Sequence, residues 1–164
     1  MDIFWTQNNM NTIIRKGWPS DIENTLRLVK ELAAYENAPL EVEVTVEEMT
    51  NWGFGSEKIF DFYVAENDNA IVGIALYYFK YSTWKGKCLF LEDIIVTESE
   101  RGNGIGKLLF NKVIEVAKKT KVRRMEWQVL DWNKTAIDFY KKYDATLDGE
   151  WINCKLTNHD LEKF

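Results

Sequence analysis

The sequence predicts a single α+β domain spanning residues 1–164, and three observations predict it. Runs of strand character follow one another as hairpins instead of alternating one for one with helices. Amphipathic helical segments open on capping signals. No internal repeat, low-complexity tract or linker divides the chain. At 46% hydrophobic and 29% charged residues, the 164-residue chain has the balance of an ordinary folded domain with a core of its own.

The elements follow in order. Residues 12–17 read as a first strand. Pro19 and the capping box Ser20 to Glu23 open a helix that buries Ile22, Leu26, Val29 and Ala33. Thr45 to Glu48 repeats the box and opens a shorter helix, which Gly53 and Gly55 end. Phe60 to Ala65 and Ala70 to Tyr81 form a hairpin around Asn67-Asp68-Asn69. After the turn Lys85-Gly86-Lys87, Cys88 to Val96 is a strand nearly continuous in apolar residues, so both its faces are covered. A glycine-rich loop then feeds a helix whose Ile105, Leu108, Leu109, Val113, Val116 and Ala117 share a face. Met125 to Leu130 is a strand. Asn133 caps a short helix bearing Ala136, Ile137 and Tyr140, and Thr146 to Leu156 is a last strand or hairpin. The sheet is expected to be mixed and mostly antiparallel, with about six to seven strands and about four helices.

Composition excludes several functions. A net charge of −5 is wrong for a nucleic-acid binder, which needs a basic patch to displace counterions from phosphates. No apolar run approaches the ~20 residues that span a membrane, and Met1 to Met10 lacks a signal-peptide core. No cysteine or histidine pair has metal-ligand spacing, and His159 is the sole histidine, so no metal is expected. Cys88 and Cys154 lie in apolar runs and read as reduced core thiols of a cytoplasmic protein, with a disulfide as the alternative.

Arg101-Gly-Asn-Gly-Ile-Gly-Lys107 carries the most chemistry. Glycines 102, 104 and 106 clear side chains from one patch of backbone where a buried strand meets an amphipathic helix. Their amides can approach an anion, the helix start adds partial positive charge, and Arg101 and Lys107 add formal charge. The loop is a cradle for phosphate or diphosphate, or else a glycine-rich helix entry without a ligand. It is not a Walker A loop, because Leu108 follows the lysine. It is not a dinucleotide fingerprint either, because the spacing is GxGxG and meandering strands precede it.

This motif resembles that of the GNAT family of N-acetyltransferases, whose Arg/Gln-x-x-Gly-x-Gly/Ala binds the diphosphate of acetyl-CoA. Arg101, Gly104 and Gly106 fill the pattern. Leu91-Glu-Asp-Ile-Ile-Val96 is similar to the family's fourth strand. Leu26 to Leu32, Tyr35-Glu36, Tyr77-Tyr-Phe79, Trp84, Trp132-Asn133 and Phe139-Tyr-Lys141 resemble its diamine (spermidine/spermine) acetyltransferase branch. The resemblance covers about residues 12–160. It implies the GNAT fold and acetyl-CoA as co-substrate, held by Ile94, Ile95, Val96, Arg101, Gly102, Asn103, Gly104, Ile105, Gly106, Lys107, Asn133, Ala136, Tyr140 and Lys142. It also implies a homodimer and a small amine as the molecule acted on.

Glu92 and Asp93 interrupt an apolar strand, and a buried carboxylate needs a partner or a purpose. One reading is a structural ion pair. The other is an amine site, because an ammonium with a pKa near ~10.4 must lose a proton before it attacks a thioester. Adjacent strand residues point to opposite faces, so only a bulge would turn both carboxylates toward one cleft. By resemblance Glu92 is the general base, acting through water, and Asp93 helps bind the cation. Tyr140 is either a packed aromatic or, by resemblance, the phenol that meets the coenzyme's sulfur. Complete proton transfer from a phenol near ~10 to a thiolate whose acid is near ~8.5 is uphill by about 2 kcal/mol, so strong hydrogen bonding is expected. Trp84 and Trp132 are packed tryptophans or the lining of an alkyl-amine channel. Tyr35 and Glu36 match the family's substrate pair or simply end a helix.

The pattern departs in two places. Ser82 stands where polyamine-acting members carry an acid two residues before the tryptophan, with Glu126 or Glu150 as possible substitutes. The loop from Leu147 to Trp151 is shorter. A close branch acts on thialysine, so the resemblance spans diamines, polyamines and thialysine-like amines. A protein N-acetyltransferase and a non-catalytic acyl-CoA or polyamine sensor are the alternatives on the same fold.

Overall fold

Tight turns and two bulges, one in β3 opposite Ala65/Glu66 and one in β4 at Glu92, set the architecture of this computed structural model, which describes residues 11–164. The reading of Met1 to Met10 lies outside the described residues. The chain forms two compact units, one ending at Trp127 and the other spanning Gln128–Phe164.

In the first unit the order is β1 (Ile13–Lys16), α1 (Ile22–Tyr35), α2 (Val46–Phe54), β2 (Asp61–Asn67), β3 (Ala70–Ser82), β4 (Gly86–Val96), α3 (Ile105–Lys119) and β5 (Met125–Glu126). The strands lie side by side in chain order, antiparallel except for the parallel pair β4–β5. Asp68 and Asn69, both with positive φ, make the two-residue turn between β2 and β3, the geometry whose twist matches the flanking strands. At the β3–β4 turn Gly86 takes φ +77°, and the Ser82 hydroxyl accepts the amides of Trp84 and Lys85 at 3.3 and 3.2 Å. The serine that departs from the polyamine pattern thus closes a turn here.

One sheet face packs on α1 and α2. Ile22, Leu26, Leu28, Met49, Phe62, Ile74, Leu76 and Ile95 form that core, with Val29 at its margin. The other face takes α3, whose Ile105, Leu109, Phe110 and Val113 are buried. Gly73 permits this approach, because a Cβ there would stand 2.9 Å from the Ile95 carbonyl and 3.1 Å from a Leu109 methyl. Each fully buried side chain of this size contributes about 1.5–3 kcal/mol. As expected, β4 is covered on both faces.

Helix starts follow local chemistry. Thr45 and Glu48 form the predicted box: Glu48 N donates to Thr45 Oγ1 at 3.2 Å, and Thr45 N to Glu48 Oε2 at 2.9 Å. Gly53 lies inside α2 instead of ending it, where a Cβ would press on the Phe60 ring at 3.0 Å. The Ser20–Glu23 box does not form. A single tight turn, Pro19–Asp21, leads into α1, and the Asp21 carboxylate accepts the Trp18 amide at 2.8 Å. Arg15 holds that carboxylate by two bonds of 2.7 and 3.0 Å, and a charged acceptor outcompetes a serine hydroxyl for the orphan amide.

The second unit contains α4 (Lys134–Lys141) and α5 (Asn158–Leu161). Two expectations fail around it. The described residues contain five strands, not six to seven, and β5 stops at Glu126 instead of reaching Leu130. Thr146 to Leu156 forms no strand, and its Leu147, Trp151, Ile152 and Leu156 are exposed. A strand needs ladder partners for its amides and carbonyls, and apolar alternation alone supplies none. A side-chain bond from Gln128 to Asn153 at 2.8 Å, not a backbone ladder, links 128 with 153. Cys154 is consequently exposed and not a core residue, whereas Cys88 is buried; both thiols are free. Among the described residues, no helix is long and apolar enough to cross a membrane, and no group of three or more His, Cys, Asp or Glu is placed to hold a metal.

Candidate active site

A bulge in β4 builds the acidic part of the site. Leu76 pairs with Asp93 and Tyr77 with Leu91, so Glu92 is the extra residue on β4. Cross-strand partners share a face and strand residues alternate, so Leu76, Tyr78, Phe90 and Asp93 lie on one face. Burial and then the Glu92 carboxylate raise the Tyr78 phenol above its ordinary range, so Glu92 acts on that same face. This is the α1 face, since Leu76 and Tyr78 pack with Ile22 and Leu26. Both carboxylates therefore turn toward one side, as only a bulge allows.

Glu36, the residue that ends α1, acts on Asp93. Burial, then Glu92, then Glu36 push the Asp93 carboxyl up to about 6. Burial also raises Glu36. Glu92 itself is exposed, while Asp93 and Glu36 are half-buried. Three carboxylates crowded at the end of one helix favour a cation and resist being charged together.

The same strand leads into the glycine-rich loop. The β4–β5 ladder ends at Phe90, so from Leu91 to Val96 the strand has ladder partners on the β3 side only among the described residues. Ile95 is buried, whereas Ile94 and Val96 are half-buried. Gly102 and Gly104 take φ +83° and +81°, which strains any L side chain, so the turn itself requires them. Gly106 differs. It lies in the first turn of α3 with helical backbone, and a Cβ there would meet only the Val96 Cγ2 at an ordinary 3.8 Å. The fold gives no reason for a glycine that costs about 0.5–1 kcal/mol relative to alanine.

No side chain caps α3, which begins at the left-handed Gly104. By contrast α2, α4 and α5 are each capped by Thr45, Asn133 and Thr157. The first amides of α3 thus have no side-chain cap and the helix dipole behind them, an arrangement that favours an anion. Ile105 is buried in the core, so it can offer a ligand only its amide. Lys107 and Arg101 are exposed and Asn103 is half-buried. Arg101 Nε donates to the Val96 carbonyl at 2.9 Å, and its guanidinium lies 5.1 Å from the Tyr35 ring centre.

Two predicted substrate residues lie elsewhere. Trp84 tips the β3–β4 hairpin at 79% exposure. Six residue steps along the strand lead from Gly86 to Glu92, about 20 Å at ~3.3 Å each, so the hairpin does not bring Trp84 to the carboxylates of its own chain. Glu126 is engaged by Lys80 at 3.0 Å and Arg124 at 3.2 Å, the ion pair that is the ordinary fate of an inward carboxylate. In the second unit, Asn133 Oδ1 accepts the Ala136 amide at 3.1 Å and caps α4. Tyr140 is buried with its ring 5.3 Å from Phe139, Lys142 follows the helix end exposed, and Trp132 is 45% exposed. The sequence reading assigned no role to Tyr78, whose approach to Glu92 depends on the β3–β4 register. The Arg101–Tyr35 contact has no local signal, because the two residues are far apart in the chain.

The chain matches the model of the acetyltransferase (GNAT) family over residues 26–144. It is 42% identical over 141 residues to the thialysine N-epsilon-acetyltransferase of Bos taurus, covering 81% of this chain and 83% of that one. It is 38% identical over 139 residues to the Homo sapiens spermidine/spermine N(1)-acetyltransferase-like protein 1, covering 80% of this chain and 20% of that longer protein. An integron cassette protein from the mobile metagenome of V. cholerae superposes with a TM-score of 0.76 at 22% identity, covering 94% of this chain and 98% of that one, a likeness of fold.

Proposed function

The chain belongs to the acetyltransferase (GNAT) family, and from that premise we propose that it moves the acetyl group of acetyl-CoA to a primary amine of a small cationic substrate, a diamine, polyamine or thialysine-like molecule. The observation that carries this reading is the single strand that bears both halves of the chemistry. Through its bulge β4 presents Glu92 and Asp93 on one face, and it then runs directly into the uncapped, glycine-lined start of α3. The family match spans both units, and we take them as parts of one catalytic domain.

The residues fit the coenzyme. Arg101, Lys107 and the first α3 amides would hold its diphosphate, with Gly106 leaving open the place a side chain would fill. Ile94 and Val96 offer backbone groups for the pantetheine arm. Asn133, Ala136 and Lys142 join this set on the strength of the sequence resemblance. When bound, the thioester supplies an electrophilic carbonyl.

The chain's own task is the proton. At pH 7 only about one alkylamine in 2,500 is neutral, which costs about 4.6 kcal/mol. The three carboxylates attract the ammonium form. Glu92, exposed on the bulge, accepts the proton through water. Asp93, at about 6, is better matched to neutral pH than an ordinary carboxylate and lies beside it. A bound cation lowers the proton affinity of Asp93, so amine binding should weaken as pH falls through about 6. Tyr140 is proposed as the hydrogen-bond donor to the departing sulfur. Direct attack is favoured over an acyl-enzyme, since Cys88 is buried.

A cytoplasmic location belongs to the same proposal, supported by the two free thiols. So does a homodimer, supported by the exposed Tyr81 and Trp84 at the hairpin tip, and light scattering would measure it. The activity is tested by following thiol release from acetyl-CoA with a panel of diamines, polyamines and thialysine. Release that depends on at least one amine supports the reading, and no release with any of them contradicts it.

A further inference from the structure

Helix α1 carries Arg27, Glu31 and Tyr35 at four-residue intervals, so the three side chains form one stripe. All three grip the chain around the glycine-rich loop. Arg27 donates to the Ile71 carbonyl at 2.8 Å, beside Val72, whose carbonyl accepts the Thr97 amide at 2.8 Å. Glu31 accepts from the Thr97 hydroxyl at 2.8 Å. Tyr35 lies under the Arg101 guanidinium at 5.1 Å, while the Nε of that guanidinium is tied to the Val96 carbonyl. Arg101 is thus fixed on two sides, and among the described residues its four terminal N–H donors make no hydrogen bond. The next residue after Tyr35 is Glu36, whose charge acts on Asp93. One turn of α1 touches both the loop and the carboxylates.

We propose that Tyr35 is a positioning residue for the loop: its ring holds Arg101 in place for a diphosphate, so the helix end that bears the amine-facing Glu36 also tunes affinity for coenzyme A. The inference rests on the acetyl-CoA reading above and assigns Tyr35 a task that needs no amine. Linkage makes the effect reciprocal: whatever coenzyme binding does to the α1 end, amine binding there returns to the coenzyme by the same factor.

The test is calorimetry with coenzyme A and no amine, on the wild type, Tyr35→Phe, Tyr35→Leu and Tyr35→Gln, each also in an Arg101→Met background. An exposed cation–π contact corresponds to about a two- to five-fold change in affinity. Tyr35→Leu and Tyr35→Gln are expected to weaken binding by that factor, and Tyr35→Phe, which keeps a ring, to bind like the wild type. With Arg101 gone, substitution of Tyr35 should have no further effect. Tyr35 is partly exposed, so these variants are expected to fold, and a melting curve for each checks this. Unchanged affinity in Tyr35→Leu and Tyr35→Gln overturns the inference alone. So does an equal loss with and without Arg101. A wild type that does not bind coenzyme A overturns both this inference and the reading it rests on.

Discussion

Gly106 has helical backbone and space for a methyl group, so Gly106→Ala should raise the stability of the free protein by about 0.5–1 kcal/mol. The same substitution places a Cβ where the coenzyme's diphosphate is proposed to approach, and it should weaken coenzyme binding at least ten-fold. Thermal melting and calorimetry on the one variant check both halves; a destabilised protein, or one that binds normally, contradicts the account. Asp93 makes the opposite trade. Its folded-state proton affinity is raised to about 6, so between about pH 4 and 6 the folded state holds more protons than the unfolded chain. Stability therefore falls as pH rises through that window and stays lower above it, by about 2–3 kcal/mol. Asp93→Asn should melt higher than the wild type at pH 8, the gap closing near pH 4, while its KM for amine rises. A variant less stable at pH 8 would refute the crowding of the three carboxylates. At Tyr140, replacement by Phe should lower turnover ten-fold or more with coenzyme affinity retained, and unchanged turnover would remove the phenol from the chemistry.

At the scale of elements, legibility followed locality. The β2–β3 turn, the Thr45–Glu48 box, the Asn133 cap and the loop before α3 are short-range chemistry, and each is found at its place. The Ser20–Glu23 box failed because Arg15, from another element, recruits Asp21 instead. The β4 bulge was legible only as a condition for two carboxylates to share a face; its position depends on pairing with β3, which periodicity does not encode. Likewise Thr146 to Leu156 alternates like a strand, but nothing local says whether a ladder partner exists. The Arg15–Asp21–Glu66 cluster yields its own prediction. Arg15 holds the Asp21 carboxyl below its ordinary range, so this contribution is present above about pH 4 and is lost as pH falls below it. Arg15→Met leaves a buried carboxylate unpaired and should cost about 3 kcal/mol at pH 7. A denaturant titration reads it, and a loss below about 0.5 kcal/mol would contradict the assignment.

For the whole molecule, sheet, bulge and loop make one device: β3 sets the register that turns Glu92 and Asp93 to the α1 side, and β4 continues into the start of α3. The two slopes with pH, Asp21 adding stability up to about pH 4 and Asp93 removing it above that, place their combined maximum near pH 4. The central claim is that backbone amides of α3 hold a diphosphate. Its most direct measurement compares coenzyme A with pantetheine, which lacks the diphosphate, by calorimetry on the wild type. The account predicts that coenzyme A binds at least a hundred-fold more tightly. Equal affinity for the two, or none for coenzyme A, would contradict it.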